Sequence, residues 1–192
     1  MDPRTLFEAK LTDLRGRRLT AVDYWDVHNY GSVPQQWDHG DWHHAVMGVE
    51  LTSDAGPVTV TWTNTFFPYG VEVFHDPIAQ HLLLGEDGPE RIGPAGDTPW
   101  SPYLGTPIVG TAFHWDRLEL GPSTRADGTV VDSARSVDVP TALRLDFPAG
   151  AVWFVAAIPL PHTFIPGDEI MVVFSRDEMR AMGYDDPAFL RS

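Results

Sequence analysis

The sequence predicts an α+β fold: a mainly antiparallel, twisted sheet or open barrel with a short helix at each end of the chain. Apolar residues alternate with polar ones through most of the middle of the chain, which is the period of a half-buried strand. At both ends they recur every three or four positions, which is the period of a helix. A chain of 192 residues favours a single domain, 1–192, that can bury a core of its own.

Both predicted helices carry capping signals. Asp2 is an N-cap residue, and Pro3 fits the first helical position after it. Ser175 and Glu178 have the spacing of a capping box. The apolar face of the first helix contains Leu6, Phe7, Leu11 and Leu14, that of the second contains Met179 and Met182, and the glycines that end them are Gly16 and Gly183. These residues predict helices just after the N-terminus and just before the C-terminus.

Between the helices, alternating patterns predict half-buried strands at 49–51, 58–62, 71–73, 118–120 and 143–147. Two later segments, 151–160 and 170–174, are apolar at nearly every position. A strand of that kind has both faces covered, so we expect these two strands to lie centrally in the sheet.

Residues 85–110 contain six glycines and five prolines among 26 positions. Proline removes backbone donors and glycine is costly to order, so this segment is predicted to be a surface connection and not a sheet element. A weak internal repeat supports a boundary here, because the pattern Val-x-Leu-x4-Gly-x-Val that starts at Val49 is echoed by Leu-x-Leu-x4-Gly-x-Val from Leu143. The hypothesis is that two related β-rich halves, 14–74 and 103–174, share one core.

The chain is acidic, with 13 Lys and Arg against 27 Asp and Glu and a net charge of −14. Residues 1–18 carry +2, so the rest carries −16. Such a body repels nucleic acid and anionic membranes, and it would attract a basic protein. Identical acidic surfaces also repel each other, which favours a monomer.

Several classes of protein are excluded by what the sequence lacks. Without cysteine there is no thiol nucleophile, no Cys-ligated zinc or iron–sulfur cluster and no disulfide. The nucleotide-binding and nucleophile motifs GxGxxG and GxSxG, the P-loop and the HExxH zinc motif are absent. The N-terminus has no apolar signal segment, and we expect a soluble, cytoplasmic protein without a cofactor. No catalytic residue is assigned, and the composition favours a binding protein over an enzyme.

One segment concentrates the residue types that form interfaces. The proposed contact residues are Trp37, Asp38, Asp41, Trp42, His43 and His44. Buried aromatic side chains carry affinity at protein interfaces, and a charged rim selects the partner. The two tryptophans would be the anchors and the two aspartates the rim.

Three alternatives remain open for the same segment. The first is a metal-dependent enzyme, in which the histidines and aspartates of this segment and of the 75–81 region bind a metal ion. The candidate ligands are His39, Asp41, His43 or His44, and His75. Asp26, Asp38 and Asp41 could act on a sugar held by the tryptophans. The tryptophans could instead cover one end of the sheet, with the histidines hydrogen-bonded to backbone.

In its size, acidity and tryptophan content the chain resembles the immunity proteins that neutralise bacterial toxins. The resemblance lies in composition and includes no motif. It implies an acidic inhibitor that covers the basic active site of a protein toxin.

Overall fold

The computed structural model describes residues 2–27, 36–66, 69–82, 88–96, 98–161 and 163–191. Two helices lie near the chain ends, α1 (Pro3–Thr12) and α2 (Arg176–Ala181). The strands are β1 (Leu19–Val27), β2 (Trp42–Val46), β3 (Gly48–Ser53), β4 (Gly56–Thr63), β5 (Gly70–Phe74), β6 (Pro89–Gly93), β7 (Gly110–Leu120), β8 (Ser123–Thr124), β9 (Val130–Asp132), β10 (Arg135–Phe147), β11 (Gly150–Leu160) and β12 (Thr163–Val173). A 3₁₀ turn, Ile78–Gln80, follows β5.

Among the described residues, ten strands form one sheet in the order β5-β4-β3-β1-β2-β12-β11-β10-β7, with β6 paired to β1. Only the pairing of β1 with β2 is parallel there, so the prediction of a mainly antiparallel sheet is confirmed. The sheet curls into a half-barrel. Strand β2 joins the two halves of the chain, because its neighbours are β1 on one side and β12 on the other.

The sheet buries a core on each of its faces. The larger core fills the inside of the half-barrel and includes Tyr24, Leu51, Leu145 and Phe154. The second core lies on the opposite face, where Trp153 and Met171 pack beneath α2 and the C-terminal residues. Strands β11 and β12 contribute to both cores, which confirms their predicted central position.

Both helices are where the capping signals place them. The side chain of Asp2 accepts a hydrogen bond from the backbone N–H of Arg4, and Ser175 accepts one from that of Glu178. Helix α1 contacts both β5 and β7, so it covers the open side of the curled sheet, and its Phe7 is buried there.

The expectation that 85–110 contains no sheet element is wrong. Residues Pro89–Gly93 form β6, which pairs with the end of β1, and Trp100, Tyr103 and Ile108 are buried in the larger core. The glycines and prolines dominate the composition of this segment, but its few large side chains have enough apolar surface to bring the chain back into the fold.

The two halves have the same strand connectivity, β1-β3-β4-β5 in one and β7-β10-β11-β12 in the other. Their first hairpins also share a register, since Leu51 pairs with Val58 and Leu145 with Val152. Antiparallel meanders generally have this connectivity, so duplication stays a prediction. In the described part of the chain, neither helix is long and apolar enough to cross a membrane.

Candidate functional site: the 37–44 hairpin

The proposed contact residues lie in one tight turn, residues 37–44, which we call the 37–44 hairpin. The backbone N–H of His44 donates to the carbonyl of Trp37 (2.7 Å), and that of His39 donates to the carbonyl of Trp42 (3.1 Å). Gly40 adopts a φ of +86° in the turn, where glycine is favoured. Its N–H donates to Asp38 Oδ1 (2.9 Å). The sequence Asp-His-Gly-Asp therefore forms a turn fixed by backbone and side-chain bonds.

The tip of this hairpin is exposed and carries two carboxylates. Asp38, His39 and Asp41 are all solvent-exposed. The N–H of Phe174 at the end of β12 donates to the carbonyl of Asp41 (3.0 Å). This bond fixes the tip to the sheet, so the two carboxylates are presented on a rigid support.

Trp42 and His44 face the second core. Trp42 is half-buried, stacks on the imidazole of His39 with ring centroids 3.9 Å apart and meets Phe164 edge-on. His44 is buried, and its Nε2 lies 2.8 Å from a carboxylate oxygen of Glu169 on β12. Because a carboxylate only accepts, the imidazole N–H is the donor.

Trp37 and His43 face the larger core, on the other side of the sheet. The half-buried Trp37 ring meets Tyr24 and His43 edge-on, with centroids 6.0 and 5.0 Å away. It also lies against Gly93 of β6, where an added Cβ would come within 2.9 Å of the indole. The structure thus brings all six predicted contact residues into one hairpin but divides their aromatic side chains between its two faces.

A buried chain of hydrogen bonds starts at His43. Trp100 Nε1 donates to the hydroxyl of Tyr24 (2.5 Å), and this hydroxyl lies 2.7 Å from His43 Nδ1. Since indole can only donate, the Tyr24 hydroxyl accepts from Trp100, and its own proton has His43 Nδ1 as the acceptor within reach among the described contacts. His43 is then neutral, with its proton on Nε2. That nitrogen is buried without a hydrogen-bond partner among the described residues, and Asp38 Oδ1 lies 3.7 Å from it.

Burial sets the protonation states of the two titratable groups in this series of hydrogen bonds, His43 and Tyr24. Burial lowers the pKa of His43 to about 4, against an opposing effect of the Asp38 carboxylate. The pKa of Tyr24 is raised, again chiefly by burial. Both groups are therefore uncharged near neutral pH, which suits a structural hydrogen-bond chain that ends beside the exposed carboxylate of Asp38.

Strand β2 ends in a strained residue. Val46 has a φ of +51°, a left-handed conformation that is rare for a β-branched side chain and costs about 1–3 kcal/mol. It pairs with Trp25 on β1 and with Ile170 on β12. The strain therefore lies at the point where β2 is held between the two halves.

The residues proposed for a metal site do not converge in the described part of the chain, where no group of three or more suitable side chains is found. His43 and His44 face opposite sides of β2. His75 Nε2 donates to the carbonyl of Lys10 (3.0 Å), and His81 pairs with Asp76. His75 and His81 both lie just after β5. In the sheet, β5 is four strand spacings from β2, which is about 19 Å along the sheet.

The carboxylates of the proposed sugar site differ in exposure. Asp26 is buried on β1, where its Oδ1 accepts from the N–H of Val27 (2.7 Å), whereas Asp38 and Asp41 are exposed. Residues 28–35, which the sequence places between Asp26 and the hairpin, lie outside the described residues.

Sequence reasoning missed three residues that hold the hairpin in place. Trp100 lies in the Pro/Gly-rich segment that was expected to be a surface connection, and its size was the only signal of burial. Tyr24 and Glu169 are distant in sequence from the histidines they contact, and no local pattern reveals such pairings. Comparison of the chain with protein-family models, curated proteins and solved structures finds no match.

Proposed function

We propose that this chain is a non-enzymatic acidic binding protein that contacts a basic protein through the 37–44 hairpin. The observation that carries the proposal is the rigid, exposed tip, which presents Asp38 and Asp41 beside the half-buried ring of Trp42. A preorganised contact surface loses little conformational freedom on binding.

The charge of the whole molecule supports a basic partner. With 27 acidic and 13 basic side chains, at least 14 acidic groups would remain if every Lys and Arg neutralised one carboxylate. The unbalanced charge attracts cationic surfaces over a distance of about 10 Å at 0.1 M salt.

An inhibitor of a basic protein toxin, of the immunity-protein kind, is the specific role we propose. Such an inhibitor needs an acidic surface that covers a cationic active site, and this role requires no catalytic residue in the inhibitor itself. The protein would act as a monomer, because two copies of this surface repel each other.

The aspartates offer a cleaner test than the tryptophans. Both Trp37 and Trp42 pack against a core, so their replacement by Ala would also lower the stability of the fold. In Asp38→Asn/Asp41→Asn the amide oxygen introduced at position 38 can still accept from the N–H of Gly40, and the turn is retained. Asp138→Asn/Asp185→Asn, at exposed positions outside the hairpin, is a control with the same loss of charge.

The experiment is a pull-down from native cell extract with the three purified proteins as bait. We expect the wild type and the control to retain a basic protein at about 0.1 M salt and to lose it at about 1 M. The hairpin variant should retain about three- to tenfold less. If all three baits retain the same proteins equally, or none retains a basic protein, the proposal is wrong. Growth inhibition by the isolated partner, relieved by this chain, would identify that partner as a toxin.

A further inference from the structure

A cavity of about 130 Å³ lies on the face of the sheet that carries the second core. Its polar wall is formed by His114 and Asp116 of β7 and Thr141 of β10. Its apolar walls come from β11, from the start of β12 and from the segment that follows α2, and they include Phe164, Ile165, Met182 and Tyr184. Five separate parts of the chain thus line one small space that is open to solvent on one side.

Two irregularities of the sheet lie beside this cavity. The register of β10 against β7 shifts between Pro140 and Ala142, and that of β11 against β12 shifts between Ala156 and Ala157. Shifts of this kind re-aim side chains and are common next to ligand sites. Thr141 lies within the first shift and Ala157 at the second, and both line the cavity.

The carboxylate of Asp116 is held in a fixed orientation. His114 Nε2 donates to one oxygen (3.2 Å), and the hydroxyl of Thr141 donates to the other (2.6 Å). These bonds, the one from His114 first, lower the pKa of Asp116. The side chain remains 44% exposed, so it presents a negative charge to an incoming molecule.

The aromatic side chains complete a pattern that suits a cation. The ring of Tyr184 packs edge-on against His114 with centroids 5.1 Å apart, and its hydroxyl donates to the carbonyl of Thr141 (3.4 Å). Burial raises the pKa of Tyr184, so this wall carries no second negative charge near neutral pH. A fixed carboxylate beside aromatic and aliphatic surface is a typical environment for an organic ammonium group.

We propose that this cavity binds a small organic cation, with its ammonium group at Asp116 and its apolar body against Phe164, Ile165 and Met182. The volume suits a small ligand, because it is close to that of a cavity of about 150 Å³ that accommodates benzene. The ligand class is therefore a protonated amine or methylated ammonium ion with a short aliphatic body. The proposal uses no residue of the 37–44 hairpin and does not depend on the proposed function.

The test compares two probes of the same shape, tert-butylammonium and the neutral tert-butanol. Each is titrated into the ¹⁵N-labelled protein, and the amide shifts of the residues around the cavity are followed by NMR. Ligands with so few non-hydrogen atoms reach about millimolar affinity. We expect tert-butylammonium to shift the cavity amides and to bind about tenfold more tightly than tert-butanol.

Variants locate the charge that is responsible. Asp116→Asn should lower the affinity for tert-butylammonium about tenfold and leave the affinity for tert-butanol unchanged. The control is Asp138→Asn, at an exposed position on β10 that does not line the cavity, and it should bind both probes like the wild type. Equal affinity of the wild type for the two probes would overturn the proposal, as would shifts outside the cavity or no shifts at about 100 mM probe. The comparison of probes on the wild type decides the question even if Asp116→Asn fails to fold.

Discussion

His43 is the residue that most directly joins the core to the proposed contact surface. One of its ring nitrogens accepts from Tyr24, and the other lies beside Asp38 at the tip of the hairpin. Its protonation would place a charge in the larger core, with Trp37 and Phe174 packed against the ring. Protonation and folding are therefore coupled at this position.

The coupling predicts how stability depends on pH. Burial lowers the pKa of His43 from 6.5 to about 4 in the folded state, so between these values the unfolded chain binds a proton that the folded chain does not. Its contribution to stability is fully present above about pH 6.5 and is lost as the pH falls towards 4. The loss amounts to at most about 3 kcal/mol, and urea unfolding from pH 4 to 8 measures it.

Two variants isolate this contribution from that of the carboxylates. His43→Asn supplies an amide oxygen that can accept from Tyr24 but does not titrate, so its stability should fall less steeply below pH 6.5. His75→Asn removes an exposed imidazole just after β5, away from the hairpin, and should keep the slope of the wild type. Equal slopes for all three proteins would contradict the assignment to His43.

At the scale of elements, β6 supports the hairpin from behind. The indole of Trp37 lies directly over Gly93, so the backbone of β6 forms part of the surface on which the hairpin packs. The close approach requires a residue without a side chain, which gives one of the glycines in the Pro/Gly-rich segment a specific role.

This contact predicts the effect of Gly93→Ala. The added Cβ would lie 2.9 Å from the Trp37 ring, so the ring must move, and we expect destabilisation by about 1–3 kcal/mol with a change in tryptophan fluorescence. Gly121→Ala is the control, because a Cβ there meets nothing within 4 Å. If Gly93→Ala unfolds at the same urea concentration as the control, β6 does not support the hairpin.

The elements also show which structural features can be predicted from local sequence. Period and capping signals identified the helices and the strands of both hairpins because each signal acts over a few residues. The pairing of β6 with β1 and the burial of Trp100 depend on contacts between residues far apart in the chain. Composition alone assigned that segment to the surface, because it gave Trp100 no more weight than each of the surrounding glycines and prolines.

The same distinction holds for the two sites. Clustering of tryptophan, histidine and aspartate was enough to select residues 37–44. It could not show that adjacent histidines of a strand face opposite cores, which follows from the two-residue period of β2 once both faces are covered. The cavity at Asp116 left no signal, since its walls come from five separate segments.

At the scale of the whole molecule, self-repulsion opposes folding. A net charge of −14 on 192 residues brings like charges together when the chain becomes compact. Described ion pairs neutralise some of them, among them Lys10 with Glu72 and Arg144 with Asp146, but the excess of acidic groups remains.

Salt should therefore stabilise the fold. Raising NaCl from about 0.02 M to about 0.3 M screens the repulsion, and we expect the free energy of unfolding to rise by roughly 1 kcal/mol. The rise should be smaller for Asp138→Asn/Asp185→Asn, which has two fewer negative charges. A fall in stability over this range, or an equal rise in both proteins, would show that self-repulsion is not the dominant effect of salt.

The position of β2 has a consequence for synthesis on the ribosome. This short strand is translated long before its partner β12, since His44 and the Glu169 that it contacts are 125 residues apart. While β12 is still inside the exit tunnel, the nascent chain cannot form the pairing of β2 with β12 that holds the hairpin. The 37–44 hairpin should thus reach its final position only after β12 has left the ribosome, and a product terminated before that strand would lack the contacts that His44 and Asp41 make there.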